Sequence, residues 1–270
     1  MQIQIFKMKL SFYKYQGTGN DFILLDNRNN EYDPLTEKQI AFICNRRFGI
    51  GADGLMLLNK KEGFDFEMKY YNADGANGSM CGNGGRCIIK FAESLGIRKN
   101  EYKFLAVDGE HIAEIDFNGF VKLKMKDVES VETHSNYFIL NTGSPHYVKL
   151  SGDVLKKDVK SEGRNIRYSP AFEKDGINVN FVEAINDDKI FVRTYERGVE
   201  DETFSCGTGV TASALISAHN DNGFNRVDVK TPGGNLSVEF DKKDENHFEN
   251  IWLSGPAKFV FKGEIEIGPL

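Results

Sequence analysis

Alternation of apolar and polar residues, the period of a half-buried strand, runs through most of the chain, and helical spacing is rare. In the first half Leu10 to Tyr15, Phe22 to Leu25, Asp65 to Tyr71, His111 to Phe117 and Phe120 to Met125 read as strands. In the second half Asn136 to Leu140, Tyr147 to Leu150, Val179 to Ala184, Lys189 to Tyr195, Asn235 to Phe240 and Phe259 to Ile267 do the same. Three helices are predicted: Thr36 to Asn45 with Thr36 as N-cap, one from near Cys81 to before Gly96, and one from near Cys206 to before Gly223. So few helices among so many strands predicts a mixed α+β fold in which each mostly antiparallel sheet curls around a central helix.

Laid against each other, the halves repeat. Asn20, in Gly17-Thr18-Gly19-Asn20, and Ser144, in Gly143-Ser144-Pro145-His146, stand 124 positions apart. So do Asn72 and Glu196, each ending a strand-like run, and so do Gly109 and Gly233. Cys81-Gly82-Asn83-Gly84 answers Cys206-Gly207-Thr208-Gly209 at an offset of 125. Chance recurrence of turns among 27 glycines does not preserve both order and spacing, so a duplicated domain with a pseudo-twofold is inferred. The repeats are placed at 9–130 and 131–259, with the last strand, about 260–270, returning to complete the first.

Composition narrows the chemistry. The net charge of −6 lacks the basic balance usual in proteins that bind a phosphate backbone, which argues against nucleic acid. No apolar run is long enough for a membrane span and no signal-peptide pattern opens the chain, so a cytoplasmic protein with no membrane partner is expected. A homodimer is a separate expectation. The four cysteines lack metal-ligand spacing and a chain of 270 residues needs no disulfide staples, so free thiols and no metal are expected. Cys44, beside Ile40 and Ile43, and Cys87, inside a helix, read as core residues.

Cys81 and Cys206 read differently, because each stands where a strand and its polar loop give way to a helix. The positive end of the helix dipole favours a thiolate there, and the following glycines let backbone amides approach an anion. Two such thiols across one cleft would take a proton from one face of a carbon and return one to the other, inverting it. The carbanion would be stabilised by helix amino ends aimed at an adjacent carboxylate, with no cofactor assigned.

At these residues the sequence resembles the diaminopimelate epimerases. The similarity is carried by Gly17-Thr18-Gly19-Asn20-Asp21-Phe22, Asn72-Ala73-Asp74-Gly75, Met80 to Cys87, Pro145-His146, Asn178-Val179-Asn180-Phe181, and Glu196-Arg197-Gly198 through Cys206-Gly207-Thr208-Gly209. The resemblance implies interconversion of LL- and meso-diaminopimelate, a step toward lysine and, in many bacteria, the wall peptide. It implies Cys81 and Cys206 as the two bases, with Gly82, Asn83, Gly207 and Thr208 on the reacting carboxylate. His146 and Glu196 would tune the thiols, and Asn20, Asn72, Asn178, Glu196 and Arg197 would line the substrate pocket. A cation at Arg197 suits the distal carboxylate of such a substrate.

Ser144 stands where many relatives carry Asn, and Gly54 where some carry Gln, so the resemblance carries over no direct side-chain contact with substrate from these two positions. Residues before Met8 precede the usual start and receive no role. Two other readings stay open on the residues alone. One is an epimerase or racemase for proline-like substrates, against which Arg197, Asn72 and Asn178 speak. The other is a thiol redox protein with a Cys81–Cys206 disulfide, for which the usual C-x-x-C is missing.

Overall fold

The computed structural model describes residues 8–218 and 222–269, so the segment before Met8 and positions 219–221, in the tail of the third predicted helix, lie outside it. The chain divides into two compact units, Met1–Val121 with Ala257–Leu270, and Lys122–Pro256. In the first run β1 (Met8–Gly17), β2 (Asn20–Asp26), α1 (Glu37–Cys44), β3 (Gly54–Asn59), β4 (Phe66–Asn72), α2 (Gly82–Ser94), β5 (Glu101–Ala106) and β6 (Gly109–Ile115). Then follow β7 (Val121–Lys124), β8 (Val131–Thr133), β9 (Phe138–Asn141), β10 (Pro145–Leu150), α3 (Val159–Arg167), β11 (Asn178–Asn186), β12 (Lys189–Glu196) and β13 (Asp201–Thr203). Last come α4 (Gly207–Ile216), β14 (Gly223–Thr231), β15 (Gly234–Lys242), β16 (Phe248–Gly255) and β17 (Lys258–Ile267).

The two units share one pairing scheme. In the first, β2 pairs antiparallel with β1 and parallel with β3, β3 antiparallel with β4, β4 parallel with β5, and β5 antiparallel with β6. In the second, β10 pairs antiparallel with β9 and parallel with β11, β11 antiparallel with β12, β12 parallel with β14, and β14 antiparallel with β15. Register agrees as well as order: Phe22 faces Gly54 and His146 faces Asn178, and both members of the second pair lie 124 positions beyond those of the first. Strand β17 pairs with β1 along its length, while β7 pairs with β16. That last pairing moves the division to 121/122, ahead of the break at 130/131 read from sequence.

One helix is buried within each unit. Helix α2 packs on β1, β2, β3 and β17, and α4 on β9 to β12 and β14 to β16. Burial on all sides explains why α4 shows no polar stripe, Gly209 to Leu215 being buried; in α2 Gly82 to Ile89 with Phe91 and Ala92 are buried too, although Asn83, Arg86, Lys90 and Glu93 recur at helical spacing. The hydroxyls this buries in α4 bond back one turn, Thr211 to the Gly207 carbonyl at 3.0 Å and Ser213 to that of Gly209 at 2.7 Å. Helix α1 begins where the sequence places it, with Thr36 and Gln39 forming a reciprocal capping box.

Helix α3 has no counterpart among the predicted helices. Its segment is mostly polar and interrupted by Gly163, which reads as a breaker; in the fold a Cβ there would stand 2.4 Å from the Tyr195 Cβ, so glycine is what lets α3 lie on β12. Strand β3 was hidden differently. Buried at every position, it is a continuous apolar run without alternation.

Candidate active site

Cys81 is the N-cap of α2 and Cys206 the N-cap of α4. Neither side chain caps its own helix, and the first amides of each have no intrahelical acceptor, which is the helix end that suits an anion. The cap carbonyls do engage: Gly85 N–H donates to Cys81 O at 2.7 Å and Val210 N–H to Cys206 O at 2.8 Å.

In the first unit the β1–β2 turn lies on the opening turn of α2. Thr18 and Gly19 take positive φ, 50° and 85°, and a Cβ on Gly17 would stand 3.2 Å from the Asn83 carbonyl. The turn delivers Asn20, whose Oδ1 accepts from the Cys81 thiol at 3.5 Å and from Asn83 Nδ2 at 3.4 Å. Asn20 cannot reverse its amide, because its Nδ2 donates to Asp53 at 2.5 Å. From beneath, the fully buried Arg86 donates to Asn83 Oδ1 at 2.8 Å, to Thr18 Oγ1 at 3.2 Å and to the Gly82 carbonyl at 3.3 Å. Asn72 stands apart from this network: it ends β4 opposite Gly54, and its side chain is exposed. Gly54 has no room for a side chain, since a Cβ there would meet the Tyr70 ring at 2.4 Å.

In the second unit the turn before β10 lies on α4 in the same way. Thr142 Oγ1 donates to the Thr208 carbonyl at 2.8 Å, and a Gly143 Cβ would stand 3.6 Å from the Thr208 methyl. Thr208 Oγ1 lies 3.5 Å from the Cys206 sulfur. Asn178 joins the turn to the next strands: its Nδ2 donates to Ser144 Oγ at 2.9 Å and to the Pro145 carbonyl at 3.1 Å, and its Oδ1 accepts from Arg197 N–H at 2.9 Å. The Arg197 guanidinium donates to the Asp175 carbonyl at 2.8 Å and to Ser144 Oγ at 3.4 Å. Glu196 accepts from Thr203 Oγ1 at 2.9 Å. His146 is wholly buried, and burial, with the Arg197 charge adding to it, pushes its pKa down to about 3.

The other cysteines are unlike these two. Burial drives Cys44 up to about 12 and Cys87 higher still, so neither supplies a thiolate. No group of three His, Cys, Asp or Glu is arranged to hold a metal ion among the described residues.

The structure thus brings Asn20, Cys81, Gly82 and Asn83 together in one unit, and His146, Asn178, Arg197, Cys206 and Thr208 in the other. It adds Thr18, Asp53, Arg86 and Thr142, together with Asn180, whose Nδ2 lies 3.1 Å from His146 Nδ1, and Thr194, whose hydroxyl donates to Asn180 Oδ1 at 2.9 Å; the sequence did not single these out. Thr18, Arg86 and Asn180 lie inside the motifs that carry the resemblance, and Thr142 stands 124 positions after Thr18, so for Thr18 and Thr142 the repeat itself carried a signal.

Comparison with known proteins agrees in extent. The family model for diaminopimelate epimerase matches residues 12–131 and 138–260. The diaminopimelate epimerase of Flavobacterium psychrophilum is 49% identical over 257 residues, covering 95% of this chain and 100% of that one. That of Chlorobaculum tepidum is 42% identical, covering 93% and 99%. Among solved structures, a PhzF-family phenazine biosynthesis protein of Bacillus anthracis superposes with a TM-score of 0.75 at 16% identity, over 96% of this chain and 99% of the other. A hydroxyproline epimerase from Agrobacterium vitis does so at 0.66 and 11%, over 98% and 95%. At those identities the likeness shows a shared fold.

Proposed function

The chain belongs to the diaminopimelate epimerase family, and on that premise we propose that it interconverts LL- and meso-diaminopimelate in lysine biosynthesis with Cys81 and Cys206 as its two bases. One observation carries the mechanistic part. Both cysteines are the N-caps of matching buried helices, each beside a turn that packs on the helix start.

In the proposed reaction one cysteine is a thiolate and the other a thiol. The thiolate takes the α-proton, breaking the C–H bond and forming S–H, and the second thiol gives its proton to the opposite face of the same carbon. Each turnover leaves the protonation states exchanged. The α-proton is far less acidic than a thiol, so the electron pair left on carbon must be drawn toward the neighbouring carboxylate. The amides of Gly82 and Asn83, and of Gly207 and Thr208, would stabilise that carboxylate as its charge grows. Arg197 is assigned to the distal carboxylate, with Asn20, Asn72, Asn178 and Glu196 as polar partners for the rest of the substrate.

Location in the cytoplasm and a homodimeric assembly complete the proposal. No helix among the described residues is long and apolar enough to cross a membrane. The reaction is tested by incubating the reduced protein with LL-diaminopimelate in deuterated water, with L-proline as control. Meso product carrying one α-deuterium is expected, and the proline should keep its α-proton. Inversion of proline without inversion of diaminopimelate would reverse the substrate assignment.

A further inference from the structure

Asn180 on β11 is fully buried and holds three groups at once. Its Nδ2 donates to the Tyr147 carbonyl at 3.1 Å and lies 3.1 Å from His146 Nδ1, while its Oδ1 accepts from Thr194 Oγ1 at 2.9 Å. A backbone carbonyl only accepts, so the end of the amide facing Tyr147 must be the amino end. His146 Nδ1 is therefore an acceptor. A neutral ring then carries its proton on Nε2, which is buried with no hydrogen-bond partner among the described residues.

The first unit shows that the fold does not need this polar pair. Phe22 and Met56 stand 124 positions before His146 and Asn180. A Cβ added to Gly84, in the first turn of α2, would meet Met56 Cε at 2.5 Å and Phe22 Cζ at 3.6 Å. One added to Gly209, in the first turn of α4, would meet Asn180 Oδ1 at 2.3 Å and His146 Cε1 at 3.3 Å. The same niche is filled by an aromatic ring and a thioether in one unit, and by an imidazole and an amide in the other. Since Cε1 joins the two ring nitrogens, the polar edge of His146 lies along the start of α4, the helix that Cys206 caps.

Resting on the two-thiol reading above, we propose that Asn180, held by Thr194, is a positioning residue that fixes His146 as its Nε2–H tautomer, a standing hydrogen-bond donor to the anion at the amino end of α4. With the opposite tautomer Nε2 would be an acceptor and would compete for protons with the thiols. Burial and the Arg197 cation both keep the ring uncharged at neutral pH.

The test is long-range 1H–15N correlation of the 15N-histidine-labelled full-length protein, with the His146 signals identified by their loss in His146→Phe. Between about pH 6 and pH 9 they should show one unchanging pattern, protonated Nε2 and unprotonated Nδ1. Asn180→Met installs the residue that the first unit uses in this niche and removes the Nδ1 donor. Its His146 signals should move toward a mixture of tautomers. Its kcat should fall about fivefold to tenfold, the size of one lost hydrogen bond, with KM little changed. A wild-type His146 protonated on Nδ1 or on both nitrogens at pH 7 would overturn the proposal, as would an unaltered tautomer in Asn180→Met. Should the two-thiol reading fail instead, activity would survive loss of a cysteine while the wild-type tautomer stayed as stated.

Discussion

Cys81 and Cys206 enter their helices through nearly the same backbone, φ −114° and ψ 126° for the first, φ −106° and ψ 113° for the second. A duplicated chain has kept not only a residue type but the local geometry that sets a thiol at the amino end of a helix. Their surroundings have diverged. Asn20 and Asn83 lie about Cys81, whereas Thr208 lies beside Cys206.

That divergence predicts unequal tolerance of the two helix-start glycines. An alanine at position 84 clashes with the flexible end of Met56 and touches Phe22 at ordinary contact distance, whereas one at 209 clashes with an Asn180 amide held by three hydrogen bonds. Gly209→Ala should destabilise by about 1–3 kcal/mol and Gly84→Ala by less, measured by thermal unfolding. Equal losses would mean that the Asn180 amide yields as readily as a thioether.

Arg86 should matter through what it holds. Arg86→Met removes one set of donors to Asn83 Oδ1, Thr18 Oγ1 and the Gly82 carbonyl, leaving the Asn83 amide to Thr18 and Asn20 and loosening the turn that carries Asn20. Epimerisation should fall at least tenfold, with stability reduced by about 1–3 kcal/mol. An active, equally stable variant would remove Arg86 from the account.

Asp21 supplies a pH dependence of stability. Burial alone would raise its pKa, but hydrogen bonds and charge from Arg46 and Lys14 outweigh that and hold it at about 2, below the ordinary 3.8. A carboxylate depressed in the folded state stabilises above its unfolded pKa, and the contribution is lost as pH falls from about 4 toward 2. Asp21→Asn should therefore cost about 2 kcal/mol at pH 7 and progressively less below about pH 4, in denaturant titrations across that range.

The thiols should separate by reactivity. Cys81 is partly exposed, while Cys44 and Cys87 are buried with raised pKa values. Brief alkylation of the native protein, read by peptide mass spectrometry, should modify Cys81 first and leave Cys44 and Cys87 untouched until unfolding. Early labelling of Cys87 would contradict the buried position of α2.

How much of this the sequence disclosed depended on whether a residue's signal was local. Alternation revealed β1, β6, β10 and β12, and Thr36 with Gln39 marked the start of α1. The constant offset exposed the repeat, and the glycine-flanked cysteines marked the candidate site. Strand β3 was lost because burial on both faces erases alternation, and α3 because Gly163 serves a contact with Tyr195, far away in sequence. Arg86, Asn180 and Thr194 were passed over for a similar reason. Their importance lies in whom they touch across strands and turns, and a single sequence records types and spacings, not partners.

The central claim, two cysteines acting on opposite faces of one carbon, is tested most directly by replacing each in turn. Wild type, Cys81→Ala and Cys206→Ala are incubated with LL-diaminopimelate in deuterated water, and inversion and α-deuterium are followed together by NMR. The account predicts inversion in the wild type and none in either variant, with both variants folded by circular dichroism. Sustained conversion to the meso isomer by a folded variant lacking either thiol would contradict it.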